Sequence, residues 1–227
     1  MRRLLLFDID GTLVWGGPAK DAFQRALVDT FGTAGDVEGH SFSGKTDPQI
    51  ARELLRGAGL ADEEIDGRLP EMWPRYLRGL EEGLRDRPME VLPGVPPLLE
   101  ALAEESDVAL AVLTGNIADG ARLKLGSAGL GHHFTTGSYG SDAENRDDLP
   151  RVALERARDA WGVRFPAHEV VVVGDTPRDV QCGRAAGART VAVATGRHDA
   201  DSLRATGADQ VLDDLADTAA VVGLLAR

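Results

Sequence analysis

Short apolar runs recur along the 227-residue chain, with segments of helical spacing between them. The runs span residues 4–7, 108–113, 170–173 and 190–194, and a weaker one spans residues 210–212. Nearly continuous apolar strands that alternate with helices are typical of a parallel sheet covered on both faces. The pattern therefore predicts an α/β fold with a doubly wound, Rossmann-like parallel sheet, whose ligands bind beyond the carboxyl ends of the strands.

The stretch between the first run and Pro93-Gly94 contains no convincing strand and is too long for a structureless connection. Apolar residues recur in it at helical spacing: Ala22, Phe23, Ala26, Leu27 and Phe31, then Ile50, Leu54 and Leu55, then Leu77, Leu80 and Leu84. We therefore predict a helical cap at residues 16–89, inserted into an α/β core formed by residues 1–15 and 90–227. A further helix is expected to begin at about Pro96 and lead to the second strand.

Two carboxylates, Asp8 and Asp10, stand where the first apolar run ends. Carboxylates that leave water at one strand end repel each other and lose hydration, a cost that is offset by a cation or by burying one of them as a neutral acid. We favour a bound divalent cation. Asp8 is a candidate nucleophile toward phosphorus, and Asp10 is a candidate general acid and base if the chain bends at Gly11. The alternative is a surface turn, because Asp and Gly are both common turn residues.

Polar residues also follow the second and third apolar runs. Thr114, Gly115 and Asn116 can offer a hydroxyl and backbone N–H groups to a phosphoryl oxygen, or can simply form a turn or a helix cap. After the third run, Thr176-Pro177-Arg178-Asp179 has the pattern of a capped helix start. That pattern leaves Asp175 unexplained, and a carboxylate there is a suitable ligand for Mg²⁺, with Asp179 as a supporting group.

Composition and charge narrow the classes of function. The formal net charge is −12, from 25 basic and 37 acidic residues, which argues against a nucleic-acid partner. A single cysteine, Cys182, excludes an internal disulfide framework and fits a reducing compartment. Asp8 interrupts the apolar opening of the chain before it reaches the length of an export signal, and no later stretch approaches a membrane span. We therefore expect a cytoplasmic protein with no membrane partner.

Taken together, these motifs resemble those of the haloacid dehalogenase superfamily, in particular phosphatases with a helical cap after the first motif. Residues 8–13 match the first motif, Thr114 the second, and Gly174-Asp175 with Asp179 the last. The resemblance implies Mg²⁺ held by Asp8, the backbone carbonyl of Asp10, and Asp175. It also implies phosphoryl chemistry, because dehalogenases and phosphonate-cleaving relatives lack an aspartate at the position of Asp10.

The superfamily's third motif supplies a cation near the nucleophile, and two residues compete for that role. Arg146 stands in the corresponding stretch before a helix, whereas Lys124 lies in the helix after Thr114, and we favour Lys124. A cation there would keep Asp8 ionised and offset charge on the phosphoryl oxygens. In the cap, Gly44 and Lys45 occupy the place of a substrate-selecting loop, where Lys45 is either a contact for an anionic substrate group or a plain loop residue.

The remaining aromatic and histidine residues receive simpler interpretations. Trp15 is expected at the hinge into the cap, or else in the wall of the pocket, and Trp73 and Trp161 are expected to be packing residues. Adjacent residues seldom share one metal ion, so His132 and His133 are expected to be structural or exposed.

The sequence thus predicts a Mg²⁺-dependent phosphomonoesterase that forms an aspartyl-phosphate on Asp8. Its partner would be a small phosphate ester, either phosphoglycolate-like or a sugar phosphate, and the protein would be a monomer or a homodimer. One alternative is a phosphomutase similar to β-phosphoglucomutase, although a His-containing cap signature is not found just after Asp21. Another is a non-catalytic phosphate- or metal-binding partner protein, which would have no chemical need for Asp10.

Overall fold

A computed structural model describes residues 2–226 of the chain. The strands are β1 (Arg3–Phe7), β2 (Val14–Gly16), β3 (Met89–Val91), β4 (Val108–Leu113), β5 (Thr136–Ser138), β6 (Val170–Gly174), β7 (Arg189–Val193) and β8 (Gln210–Leu212). The helices are α1 (Ala19–Phe31), α2 (Asp47–Gly57), α3 (Asp62–Asp86), α4 (Val95–Glu104), α5 (Ala118–Ser127), α6 (Leu149–Trp161), α7 (Pro177–Ala185), α8 (Ala200–Ala205) and α9 (Thr218–Leu225). Short 3-10 turns lie at Gly131–His133, Arg146–Asp148 and Ala167–Glu169.

Six strands form one parallel sheet in the order β5-β4-β1-β6-β7-β8. Strand β1 lies at the centre because its residues are apolar on both faces. Leu5 and Phe7 pack into one hydrophobic cluster, and Leu4 and Leu6 pack into the cluster on the opposite face. The predicted doubly wound α/β sheet is therefore confirmed, and β1, β4 and β6 lie side by side, so that their carboxyl ends share one edge.

The prediction that no strand lies between the first apolar run and Pro93 was wrong. Strands β2 and β3 pair antiparallel, with Trp15 opposite Glu90, and form a two-stranded ribbon. Each strand has three residues, too few for an alternating pattern to be recognised. Strand β5 was also missed, because Thr136-Gly137-Ser138 contains no large apolar residue.

The helices α1, α2 and α3 lie between β2 and β3, as the helical spacing indicated. Helix α1 ends at Gly32, whose φ of 76° gives a left-handed cap. Helix α3 runs through Pro70 and Pro74, each of which removes a backbone donor. Its buried face compensates by packing: Ile65, Leu69, Met72, Tyr76, Leu80 and Leu84. Whether residues 16–89 behave as a separate cap domain stays a prediction.

Within residues 2–226, the structure contains no helix with both the length and the apolar character needed to cross a bilayer.

Candidate active site

Three strand ends converge at one edge of the sheet, as predicted. Asp8 follows β1, Thr114 follows β4 and Asp175 follows β6. The chain turns sharply after Asp8, where the Ile9 carbonyl accepts hydrogen bonds from the N–H groups of Leu13 and Val14. The bend at Gly11 is confirmed: its φ is +90°, and a Cβ there would collide with the Asp175 carboxylate. Only glycine at position 11 lets the turn after β1 approach the end of β6 so closely.

The carboxylates of Asp8, Asp175 and Asp179 lie within 4.8 Å of one another, and all three residues are buried. Burial raises the pKa of Asp8 to about 6, with the negative charges of Asp179 and Asp10 adding to the effect and Arg146 opposing it. Burial also raises the pKa of Asp175 to about 8, and Asp179 and Asp8 raise it further. The hydroxyl of Thr12 donates to Asp175 Oδ1 at 3.1 Å and counteracts part of this shift.

This cluster fits a hard divalent cation. Carboxylate oxygens are the ligands that Mg²⁺ prefers, and the mutual repulsion that raises both pKa values is what a bound cation would relieve. Asp8 and Asp175 each contact a described partner through Oδ1 only, which leaves Oδ2 of both as a candidate ligand atom. Asp179 is already occupied, because Oδ2 accepts from the Thr176 N–H at 3.0 Å and from its hydroxyl at 2.6 Å, while Oδ1 accepts from Arg146. The predicted helix cap at Thr176 is confirmed as a full capping box.

Arg146 is the cation beside Asp8. Its guanidinium nitrogen lies 3.2 Å from Asp8 Oδ1 and also contacts Asp179 Oδ1. The arginine is 3% exposed, so this charge acts in a poorly solvated setting. It comes from the 3-10 turn at Arg146–Asp148, where the Asn145 side chain accepts from the Asp147 N–H at 3.1 Å.

Lys124 contacts Asp10 and not Asp8. Our preference for Lys124 as the cation beside Asp8 does not agree with this geometry. Its ammonium group donates at 2.7 Å to both carboxylate oxygens of Asp10 and at 2.7 Å to Asn116 Oδ1. Asn116 in turn donates to Asp10 Oδ2 at 2.7 Å and to Thr114 Oγ1 at 2.8 Å. Asn116 therefore positions Asp10, and its side chain is committed to contacts within the protein.

Thr114 keeps a hydrogen available for a ligand. In both of its described side-chain contacts, with the N–H and the amide of Asn116, Oγ1 is the acceptor. The hydroxyl can therefore donate into the site, as the sequence suggested. Gly115 packs closely against the chain, since a Cβ there would collide with the carbonyl of Lys45.

The loop from Ser43 to Asp47 packs directly on this edge of the sheet. A Cβ on Gly44 would collide with Thr176 and Arg178, so Gly44 allows close approach to the start of α7. Its carbonyl accepts from Arg146 at 3.4 Å. Asp47, which the sequence reasoning missed, donates its N–H to the Gly115 carbonyl at 2.7 Å and accepts the Ile117 N–H at 2.9 Å.

Asp47 is a further buried acid of the site. Burial raises its pKa to about 6, while the charge of Lys124 lowers it. The sequence signal for its position was Thr46-Asp47-Pro48, a helix start in which the Thr46 hydroxyl accepts the Gln49 N–H at 3.2 Å. The Thr46 hydroxyl also donates to the Glu144 carbonyl at 2.6 Å, which links the start of α2 to the segment between β5 and the Arg146–Asp148 turn.

Above the carboxylates lies a cavity of about 650 Å³. Trp15 lines it, as one of the two predicted alternatives stated, together with Phe23, Phe42 and Tyr76. Lys45 also lines the cavity, but its ammonium group is paired with Glu53 at 2.5 Å and contacts His40 Nε2 at 3.3 Å. Arg197, another charged residue of the wall, was not identified from the sequence.

The two other tryptophans and the adjacent pair His132-His133 are not among the residues that line the cavity. Trp73 packs against Phe23 with ring centroids 6.2 Å apart, and Trp161 packs against Phe165 at the same separation. His132 and His133 stack on each other at 4.0 Å in a 3-10 turn. These contacts agree with the packing and structural roles predicted for them.

Comparisons with known proteins match this geometry to a family. The family model for "haloacid dehalogenase-like hydrolase" matches residues 5–193. A phosphoglycolate phosphatase of Synechococcus elongatus is 30% identical over 98% of each chain, and a pyrophosphatase of Halalkalibacterium halodurans is also 30% identical over 98% of each chain. Among solved structures, a hydrolase from Pseudomonas syringae has the same fold, with a TM-score of 0.73, 22% identity and 99% coverage of both chains.

The family match covers every strand end that carries an acid in the cluster, and the relatives match over nearly the whole chain. The resemblance inferred from the motifs is therefore confirmed. The chain belongs to the haloacid dehalogenase-like hydrolase family, as a phosphatase similar to the phosphoglycolate phosphatases.

Proposed function

We propose that this phosphatase is a Mg²⁺-dependent phosphomonoesterase that hydrolyses a small phosphorylated metabolite through an aspartyl-phosphate on Asp8. The observation that carries the proposal is the division of the site into two networks. Asp8 lies with Asp175 and Asp179 beside Arg146, and Asp10 is held separately by Lys124 and Asn116. This division supports Asp8 as the nucleophile and Asp10 as the group that transfers the proton.

In the first step, a carboxylate oxygen of Asp8 attacks phosphorus and the bond from phosphorus to the ester oxygen breaks. Arg146, 3.2 Å from Asp8, favours the ionised nucleophile and faces the negative charge of the phosphoryl group. The hydroxyl of Thr114 donates to a phosphoryl oxygen, with the backbone N–H groups of Gly115 and Asn116 as further candidate donors. A magnesium ion held by Asp8, the Asp10 carbonyl and Asp175 would supply charge stabilisation for the phosphoryl oxygens.

Asp10 carries the proton in both steps. It gives a proton to the leaving alkoxide oxygen as the aspartyl-phosphate forms. It then takes a proton from the water that attacks the phosphorus, which releases phosphate and regenerates the Asp8 carboxylate. The hydrogen bonds from Lys124 and Asn116 hold the carboxylate of Asp10 in one orientation for both tasks.

The helical segment would exclude bulk water during transfer. We propose residues 16–89 as the cap domain, with the β2-β3 ribbon as its connection to the core. The contacts of Gly44, Thr46 and Asp47 with the core support a closed arrangement, in which a small ester fits the cavity and a bulky one does not. Gly44 and Lys45 stay candidate substrate contacts, and a cytoplasmic location and a monomeric or homodimeric state stay proposals.

Magnesium binding should depend strongly on pH. A buried carboxyl with a raised pKa stabilises the fold below its ordinary value of 3.8 and loses that contribution as the pH rises through its folded value, here about 6 for Asp8 and about 8 for Asp175. The metal-free protein is therefore expected to lose stability between about pH 4 and pH 8, where ionised ligands become available to the metal.

Thermal unfolding with EDTA and with Mg²⁺ tests this expectation. With magnesium at one fixed concentration, about 100 times its dissociation constant at pH 8, the midpoint should rise by about 5 °C or more at pH 8 and by much less at pH 5. Asp175→Asn should abolish the rise at both pH values. An equal magnesium shift at pH 5 and pH 8 would contradict the proposed ligand set.

Phosphate release from a panel of phosphorylated metabolites tests the function itself. We expect turnover of one or more small monoesters with Mg²⁺ and none after EDTA treatment, with recovery on adding Mg²⁺ back. The mutase alternative predicts conversion of β-glucose 1-phosphate to the 6-phosphate without free phosphate. The absence of turnover of every ester, including p-nitrophenyl phosphate, with any divalent metal would favour the non-catalytic binding protein and refute the proposed function.

A further inference from the structure

We infer that Arg197 is a specificity-determining residue that selects substrates whose leaving group carries its own anion, either a carboxylate or a second phosphate. The inference deepens the proposed function and rests on it. The basic residues in the wall of the cavity are Lys20, Lys45, Lys124, Arg146 and Arg197.

Four of these cations are already paired with an acid. Lys20 lies 3.0 Å from Glu38, Lys45 lies 2.5 Å from Glu53, and Lys124 lies 2.7 Å from Asp10. Arg146 contacts Asp8 and Asp179. Within residues 2–226, Arg197 is the cation of the cavity wall for which no ion pair with an acid is found, so its charge is available to an anionic ligand.

The segment that carries Arg197 is held against the reaction centre. The Thr195 hydroxyl donates to the Gly11 carbonyl at 2.6 Å. A Cβ on Gly196 would collide with the Asp175 carboxylate, so the backbone next to Arg197 lies directly against the proposed metal ligand. His198 Nε2 lies 3.1 Å from the Ser43 hydroxyl in the loop that closes the cavity. Contacts on both sides therefore fix the backbone from which Arg197 extends.

Trp15 orients the arginine side chain. The guanidinium carbon of Arg197 lies 5.8 Å from the centroid of the Trp15 ring, a cation–π distance, and Trp15 lines the same cavity. Within residues 2–226 no hydrogen bond of the Arg197 guanidinium is found, so its paired N–H donors, which suit a carboxylate or a phosphate, are available to a ligand. A neutral polyol offers no charge for this group to meet.

Three phosphate compounds test the inference: phosphoglycolate, the anhydride pyrophosphate, and 2-hydroxyethyl phosphate, the analogue of phosphoglycolate whose leaving group is uncharged. For the wild-type protein, kcat/KM should be higher for one or both anionic substrates than for 2-hydroxyethyl phosphate. In Arg197→Met this preference should fall about tenfold through KM, with kcat nearly unchanged, because the contact is the same in the ground and transition states. Arg197→Lys should retain part of the preference.

Arg164→Met is the matched control, since Arg164 is exposed and lies outside the cavity wall. It removes one positive charge and should leave the preference unchanged. The inference would be overturned if the wild-type protein preferred 2-hydroxyethyl phosphate. It would also be overturned if Arg164→Met lost as much of the preference in kcat/KM as Arg197→Met, or if Arg197→Met lost none. A larger loss of kcat/KM for phosphoglycolate in Arg197→Met would indicate that Arg197 binds a carboxylate. A larger loss for pyrophosphate would indicate that it binds a second phosphate.

A binding measurement separates this inference from the proposed function. Calorimetry compares phosphoglycolate, pyrophosphate and 2-hydroxyethyl phosphate binding to Asp8→Asn and to Asp8→Asn/Arg197→Met, in which no turnover is expected. Phosphoglycolate, pyrophosphate or both should bind to Asp8→Asn more tightly than 2-hydroxyethyl phosphate does. This difference in affinity should fall about tenfold when Arg197 is also replaced. If the wild-type protein hydrolyses no phosphate monoester, the proposed function fails, and this comparison still decides the role of Arg197. Equal affinities in both proteins for each of the three compounds would refute that role.

Discussion

Replacement of Asp8 by Asn should lower kcat for phosphate release by about 10⁴-fold or more, the largest effect that we expect from any single substitution. In the proposed mechanism the carboxylate of Asp8 forms the bond to phosphorus, and an amide is a poor nucleophile. Substrate binding should be affected less, because Arg146 and Thr114 keep their places around the phosphoryl group. Steady-state phosphate release over a range of substrate concentrations separates the two effects.

Folding must be checked in the same variant. Asp8 is desolvated among other acids, and burial raises its pKa to about 6, so the neutral amide should leave the metal-free protein at least as stable at neutral pH. Thermal unfolding with EDTA measures this. Asp201→Asn is the matched control, since the Asp201 side chain is 94% exposed, and it should keep full activity. A well-folded Asp8→Asn protein with wild-type kcat would refute the aspartyl-phosphate mechanism.

Loss of the Arg146 guanidinium should reduce kcat by roughly 10²–10³-fold, the range found when one donor to a developing negative charge is removed. The effect should be similar for p-nitrophenyl phosphate and for an alkyl phosphate, because in the proposed mechanism Arg146 acts on the nucleophile and the phosphoryl group. Arg146→Met also leaves Asp8 and Asp179 buried without a cation, which costs about 3–5 kcal/mol. Arg146→Lys retains the charge and should recover much of both losses.

Lys124→Met provides the comparison that distinguishes the two cations. Lys124 holds Asp10, and proton donation matters most when the leaving oxygen is strongly basic. Its loss should therefore slow the alkyl phosphate by about 10²-fold and p-nitrophenyl phosphate much less. The reverse pattern, with leaving-group dependence in Arg146→Met and none in Lys124→Met, would assign the two residues the opposite roles.

Much of the site could be predicted because its chemistry lies at the ends of apolar strands. Asp8, Thr114 and Asp175 each follow such a run, and parallel topology brings the ends of neighbouring strands to one edge. The local turn at Gly11 and the helix start at Thr176 were also readable, since both depend on residues within a few positions. The three-residue strands β2, β3 and β5 carried too little pattern to be found.

The sequence by itself therefore determined the α/β class, the helices between β2 and β3, and the acids that follow β1 and β6, because hydrophobic periodicity and strand topology are sufficient for these features. Only the tertiary structure decided which cation faces which acid. Arg146 and Lys124 are 138 and 114 residues from Asp8 and Asp10, respectively, and the pairing depends on how the Arg146–Asp148 turn and helix α5 pack at the sheet edge. The contact of Arg197 with Trp15 likewise depends on packing between segments distant in the chain, which local sequence patterns do not encode.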